Sequence, residues 1–161
     1  MSVSCVWRAS DMELILYEDF AKLRMKQLAP GKEVHESDGW EWMGGFWINE
    51  GIFGFTSVSR HEDTPDEAGG LEVAFGELPE SATLAIFDAI HLPLRQGMTL
   101  QEVRSVLGEP EQTHVFVADR KTYDFTVGSR HPYYVSATVH DSDGLIYVAV
   151  IRKDVLSRCS N

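Results

Sequence analysis

Between Tyr133 and His140 the chain alternates without a break. Tyr133, Val135, Ala137 and Val139 fall on one side, and Tyr134, Ser136, Thr138 and His140 on the other. Successive side chains of a strand point to opposite faces, so this period of two specifies a strand with one buried and one wetted face. The neighbouring segments continue the pattern. His114-Val115-Phe116-Val117-Ala118 reads as a strand, Asp119-Arg120-Lys121 as a turn, and Tyr123, Phe125 and Val127 then alternate with Asp124 and Thr126. Gly128 to Pro132 and Asp141-Ser142-Asp143-Gly144 supply two more turns, and Leu145 to Ile151 the closing strand. The last third is therefore an antiparallel meander whose polar face carries Asp124, Thr126, Tyr134, Ser136, Thr138 and His140.

What covers the apolar face is written just upstream. Thr99 can cap a first helical turn, and Glu102, three residues on, can reach back to the Thr99 amide. Leu100, Val103 and Leu107 then share one face, Gly108 suits a left-handed end, and Pro110 forbids continuation. A second helix over about Ser81–His91 carries a stripe of Leu84, Phe87 and Ile90 and stops before Pro93. The two form a helical pair ahead of the final strands.

The first half is less regular. Ser10-Asp11-Met12-Glu13 can box the start of a helix over Met12–Leu28, with Leu16, Phe20, Leu23 and Gln27 on one face. The apolar run Leu14-Ile15-Leu16-Tyr17 also reads as a short strand. Gly31 to Gly39 is polar and reads as a loop. Trp40 to Ile48 is an aromatic block in which Gly44-Gly45 suits a tight hairpin, and Asn49-Glu50-Gly51 a second turn before strand Ile52–Val58. His61 to Gly70 is an acidic loop, and Leu71–Phe75 a strand. The expected fold is α+β: a helix pair packed on a four-stranded antiparallel β-meander, preceded by an N-terminal helix plus β-hairpin region. The expected division is residues 1–70 and 71–161.

Composition narrows the function. The formal net charge of −11 excludes the concentration of Lys and Arg that phosphate backbones need, and it disfavours an anionic membrane surface. A basic protein partner fits that charge, as does solubility alone. Cys5 and Cys159 lie at opposite ends, giving neither a disulfide framework nor a metal spacing, and the N-terminus lacks a secretory pattern. The expected setting is cytoplasmic, with no membrane and no nucleic acid.

No catalytic, dinucleotide, phosphate-loop or metal fingerprint is present, so the expectation is no catalytic residues, no metal and no cofactor. His140 with Asp141 and Asp143 reads more simply as a strand end entering a polar hairpin. The candidate partner-binding residues are Trp40, Trp42 and Trp47, the loop acids Glu62, Asp63, Asp66 and Glu67, and Tyr134 and His140 on the sheet. Tryptophan is enriched at interface hot spots but also dominates small cores, and core filling is the expectation for most of these.

Gly97-Met98-Thr99, Glu102-Val103, Leu107-Gly108, Pro110, Tyr123-Asp124-Phe125 and Asp143-Gly144-Leu145 together carry a family likeness. Over about residues 86–153 the chain resembles the SmpA/OmlA superfamily, which is similar in fold to β-lactamase inhibitor protein, itself built from two such units in tandem. The resemblance implies protein binding, in outer-membrane assembly or in enzyme inhibition. Envelope members carry a lipoprotein signal, and Cys5 here has no apolar leader before it. The functional expectation is a non-catalytic protein-binding module, in its sharpest form an immunity-type inhibitor of a basic toxin or enzyme. The alternative is a small-ligand-binding sensor using the polar sheet face or a pocket between the halves.

Overall fold

The period of two in the last third extends across the molecule. The computed structural model describes residues 14–28, 33–48, 51–76 and 80–154, with 28, 44–48 and 51–55 described by their backbone alone. Strands β1 (His35–Ser37), β2 (Trp40–Ile48), β3 (Gly51–Arg60), β4 (Ala68–Ala74), β5 (Gln112–Val117), β6 (Arg120–Val127), β7 (Tyr133–His140) and β8 (Gly144–Arg152) form one sheet. Its order is β1-β2-β3-β4-β8-β7-β6-β5, antiparallel throughout. Among the described residues the helices are α1 (Tyr17–Ala21), α2 (Met25–Leu28), α3 (Glu80–Ala89) and α4 (Leu100–Leu107).

This corrects the expected fold. The sheet has eight strands rather than four, the helices are short, and the predicted N-terminal hairpin region is part of the same sheet. The physical reason lies at the seam. β4 and β8 pair from Gly70↔Ile151 to Ala74↔Tyr147, and Leu71, Val73, Val148 and Val150 are buried there. Left apart, each meander would end on an apolar strand with an open edge, and pairing the two removes both. Each half thus runs two helices and then four strands, and the halves meet through their last strands.

Three local expectations also change. The predicted Met12–Leu28 helix is broken: α1 ends at Ala21 and α2 starts at Met25. Leu23 and Met25 are both buried, a spacing one helix face cannot serve, so packing overrides local propensity. Arg24 donates from Nη1 to the Ala21 and Leu23 carbonyls at 3.2 and 2.7 Å, satisfying groups the break exposes. Gly44-Gly45 makes no hairpin, because β2 runs straight through it with Gly44 opposite Phe55. The predicted loop before Trp40 contains β1, turned onto β2 by Asp38 and Gly39 at φ 44° and 78°. The proposed capping box at 10–13 lies outside the described residues.

The helices sit on one face. Val58, Leu71, Val73, Phe125, Val135 and Val148 from the sheet join Phe20, Phe87, Val103 and Leu107 from the helices in one core cluster. Phe20 packs on Tyr133, 4.9 Å between centroids, and Phe87 on Phe75 at 5.6 Å. Each aromatic helix residue therefore leans on the other half of the chain. α4 is capped as the sequence predicts: Thr99 Oγ1 accepts the Glu102 amide and Glu102 Oε1 accepts the Thr99 amide, both at 3.2 Å. No described helix is long and apolar enough to cross a membrane.

Candidate functional site

The face turned away from the helices is uncovered by any described helix. Register fixes what lies on it. Trp42, Ser57, Glu72, Ala149, Ser136 and Asp124 follow one another across β2, β3, β4, β8, β7 and β6. The next row reads Trp40, Ser59, Gly70, Ile151, Tyr134 and Thr126. At the usual strand spacing these six strands span about 24 Å. The middle of both rows is small: Ser57, Gly70 and Ala149 are buried beneath larger neighbours. Aromatic rings flank this floor. Trp40 and Trp42 stack at 4.3 Å on one side, with His35 5.5 Å from Trp42, while Tyr147 rises beside the floor and Tyr134 stands toward the other side.

Two carboxylates are set into the same face. Asp124 is 5% exposed and fully engaged by donors. Ser136 Oγ donates to Oδ1 at 2.6 Å, and the Tyr134 hydroxyl and His114 Nε2 donate to Oδ2 at 3.2 and 2.6 Å. Glu72 accepts from Ser57 Oγ at 3.3 Å and from the Tyr147 hydroxyl. Burial first, and then the Asp124 charge, push the Tyr134 hydroxyl up from its ordinary value. Burial and then Glu72 push Tyr147 up in the same way. Both phenols are therefore held as donors at neutral pH. Among the described residues, His114 is the one basic group paired with either carboxylate. Hydroxyl dipoles orient both carboxylates, and Glu72 has no basic partner among the described residues, which leaves a preorganised anionic group over an apolar and small-residue floor.

The Ser136 hydroxyl is bonded to the Asp124 carboxylate rather than to an imidazole. No group of three or more metal-ligating side chains occurs among the described residues. Hollows lined by described residues lie at the ends of the sheet. One of about 280 Å³ adjoins His131, Tyr133 and Arg152, and one of about 300 Å³ adjoins Thr99, Lys121, Tyr123 and His140.

The predicted site residues divide. Trp40, Trp42 and Tyr134 share the open face, all half-buried. Trp47 lies on β2, its side chain outside the described residues. Glu62, Asp63 and Asp66 are exposed on the β3–β4 connection. Glu67 belongs to a clasp: it accepts the Tyr17 hydroxyl at 2.7 Å and Arg152 Nη1 at 3.4 Å, and Arg152 lies over the Tyr17 ring at 4.9 Å. The Tyr17 hydroxyl holds the Glu67 carboxyl below its ordinary range. His140 closes a turn, donating from Nε2 to Asp119 at 3.0 Å and accepting the Ser142 and Asp143 amides at Nδ1. Glu72, Tyr147 and His114 were not anticipated. Glu72 did carry a signal, as the one polar side chain in Leu71-Glu72-Val73. Compared with known proteins, the chain matches no family model, no curated protein and no solved structure.

Proposed function

We propose that this protein is a non-catalytic protein-binding module whose open sheet face receives a basic segment of a partner protein, in the manner of an immunity-type inhibitor of a basic toxin or enzyme. The observation that carries this reading is the face itself: paired indoles and two tyrosines around a floor of small side chains, with Glu72 and Asp124 set into it. A basic segment laid across Ala149 and Ser136 has Glu72 toward one end and Asp124 toward the other, with the tyrosine rings beside it. The net charge of −11 supports the same reading by drawing a basic partner in from a distance. The SmpA/OmlA likeness belongs to the proposal as well, on the residues between about 86 and 153 that carry it. A cytoplasmic setting goes with it, on the two widely separated cysteines.

The test is capture from lysate on the immobilised full chain, over a range of salt, beside Trp42→Ala and Glu72→Gln. The expected result is a basic protein whose retention falls with salt. Trp42→Ala, as a central aromatic anchor, should weaken it by about 2 kcal/mol, close to thirty-fold. Recovery of no protein at any salt, or equal recovery by both variants, removes the proposal.

A further inference from the structure

The two carboxylates of the open face are not held alike. Glu72 accepts from the hydroxyls of Ser57 and Tyr147, both neutral donors. Asp124 accepts from an imidazole as well, with His114 Nε2 at 2.6 Å from Oδ2. A carboxylate only accepts, so Nε2 carries the hydrogen of the neutral ring and Nδ1 is its bare nitrogen. Nδ1 bonds to no described residue, and the side chain is 36% exposed. The ring lies at the rim of the face, opposite Thr122 and stacked on Phe116 at 5.5 Å. Two other histidines are built differently. His61 Nδ1 accepts the Asp63 amide at 3.1 Å, and His140 Nδ1 accepts the Ser142 and Asp143 amides at 3.2 and 3.1 Å. A proton on either of those atoms displaces backbone bonds. A proton on His114 Nδ1 displaces none and leaves Nε2–H on Asp124.

We propose, resting on the reading of the open face as the seat of a basic segment, that His114 is a proton-controlled counter-ion which weakens the hold of that face on acidification. With the ring neutral, the charge of Asp124 adds to that of Glu72. One proton taken from solvent at Nδ1 makes the ring an imidazolium, and Asp124 becomes half of an ion pair. The face then offers a basic segment the charge of Glu72 alone. The titratable groups around the ring are Asp124 on β6, the Tyr134 hydroxyl on the same carboxylate from β7, and Glu111 ahead of β5, whose charge reaches Tyr134. Among the described residues none of the three is paired with a lysine or arginine, so the imidazolium is the cation that decides the balance at this corner. His35, the other imidazole of the face, stands beside Trp42 on the opposite edge strand.

Calorimetric titration of the full chain with a decalysine peptide tests this, at about pH 8 and about pH 5.5, on either side of histidine titration. Lysine ammonium groups stay charged at both. An ionic strength of about 0.15 M screens histidines more than about 8 Å from the peptide. The expected result is binding at the higher pH and a dissociation constant about fivefold or more larger at the lower. His114→Gln, whose amide still donates to Asp124 but takes no proton, should cut that ratio to about one third or less. His35→Gln should keep most of it. An equal ratio in the natural chain and His114→Gln overturns the proposal and leaves the open-face reading standing, as does an equal loss in His35→Gln. Absence of binding at the higher pH overturns the open-face reading, and the proposal with it.

Discussion

The two halves repeat one order of elements and finish it differently. In the second half α3 has ten residues, and α4 has eight closed by a reciprocal cap. In the first half α1 has five residues and begins at Leu16 with no side-chain cap, and α2 has four. What holds the first half's helices is tertiary. The Met25 amide donates to Glu41 Oε2 at 3.1 Å, and Arg60 pairs with the same buried carboxylate at 3.1 Å. Phe20 is fully buried against Tyr133 of the other half. The second half writes its helices locally, while the first borrows its order from the sheet it joins. The two should therefore unfold together, although they look separable by sequence.

The largest expected effect tests that dependence. Phe20→Ala and Phe87→Ala each remove a fully buried ring and should cost about 3–5 kcal/mol. Phe20 leans on the second half and Phe87 on Phe75 of the first, so both variants should shift one shared transition. Urea unfolding followed by near- and far-ultraviolet circular dichroism checks this. Two separated transitions in Phe20→Ala would mean that the second half stands alone, and the comparison would have to be redrawn.

A pair of glycines gives the next contrast. Gly144 sits at φ 74°, and a Cβ there would collide with the Gly97 carbonyl. That close approach lets Gly97 N donate to the Leu145 carbonyl at 3.0 Å and Leu145 N to the Met98 carbonyl at 2.9 Å, tying the α3–α4 link to β8. Gly144→Ala combines backbone strain with a backbone clash and should cost roughly 2–3 kcal/mol. Gly70, in the floor of the open face, has its nearest obstacle in Ser59 Oγ at 2.7 Å, a side-chain end able to rotate away. Gly70→Ala should cost under about 1 kcal/mol. Equal losses for the two, measured by denaturant midpoint, would break the contrast.

How much of this was legible in the sequence follows from the same division. Thr99, Glu102 and Gly108 specify α4 within ten residues, and the alternation of Tyr133–His140 is visible inside one strand, because both signals are local. The parity that placed Asp124, Tyr134 and Ser136 on one polar face is local too. The pairing of β4 with β8 is not, since nothing in Leu71-Glu72-Val73 names Ala149 as its neighbour. Glu72 therefore escaped notice as part of the site. The break before Met25 was illegible because its causes are tertiary: both Leu23 and Met25 are buried, and the Met25 amide donates to Glu41 on β2. The first hairpin was different. Asp38-Gly39 is a strong two-residue turn signal, hidden inside the polar run from Gly31 to Gly39 that reads as a loop.

The caps separate the halves more gently. Thr99→Ala removes the donor and acceptor pair at the start of α4 and should cost about 1 kcal/mol. Leu16, at the start of α1, is 46% exposed and extended at φ −78° and ψ 126°, the backbone a capping residue needs. Leu16→Ser should therefore gain about 0.5 kcal/mol, giving the first half a cap it lacks. Thermal or urea unfolding of both variants checks the signs. A gain at Leu16 and a loss at Thr99 would confirm that the halves differ in local specification.

The smallest expected effect is at the turns. The β1–β2 turn is closed by backbone, with Arg60 N donating to the Gly39 carbonyl at 2.7 Å. The β5–β6 turn is closed by charge. Arg120 first, and His140 after it, hold the Asp119 carboxyl at about 2, below its ordinary 3.8. A depressed carboxyl favours the folded state above its unfolded value, so this contribution is complete above pH 3.8 and is lost as pH falls toward about 2. Asp119 is exposed and screened, which makes the effect small. The stability difference between the natural chain and Asp119→Asn should accordingly be flat from neutral pH to about 4 and shrink from there to about 2. Amide exchange at Asp141, whose N–H donates to the Asp119 carbonyl at 2.9 Å, reports the same turn directly. Faster exchange there on acidification, with Arg60 exchange following its intrinsic rate, would locate the acid sensitivity in the second half. A difference that stays constant down to pH 2 would show that charge does not hold this turn, and the two turns would then be alike.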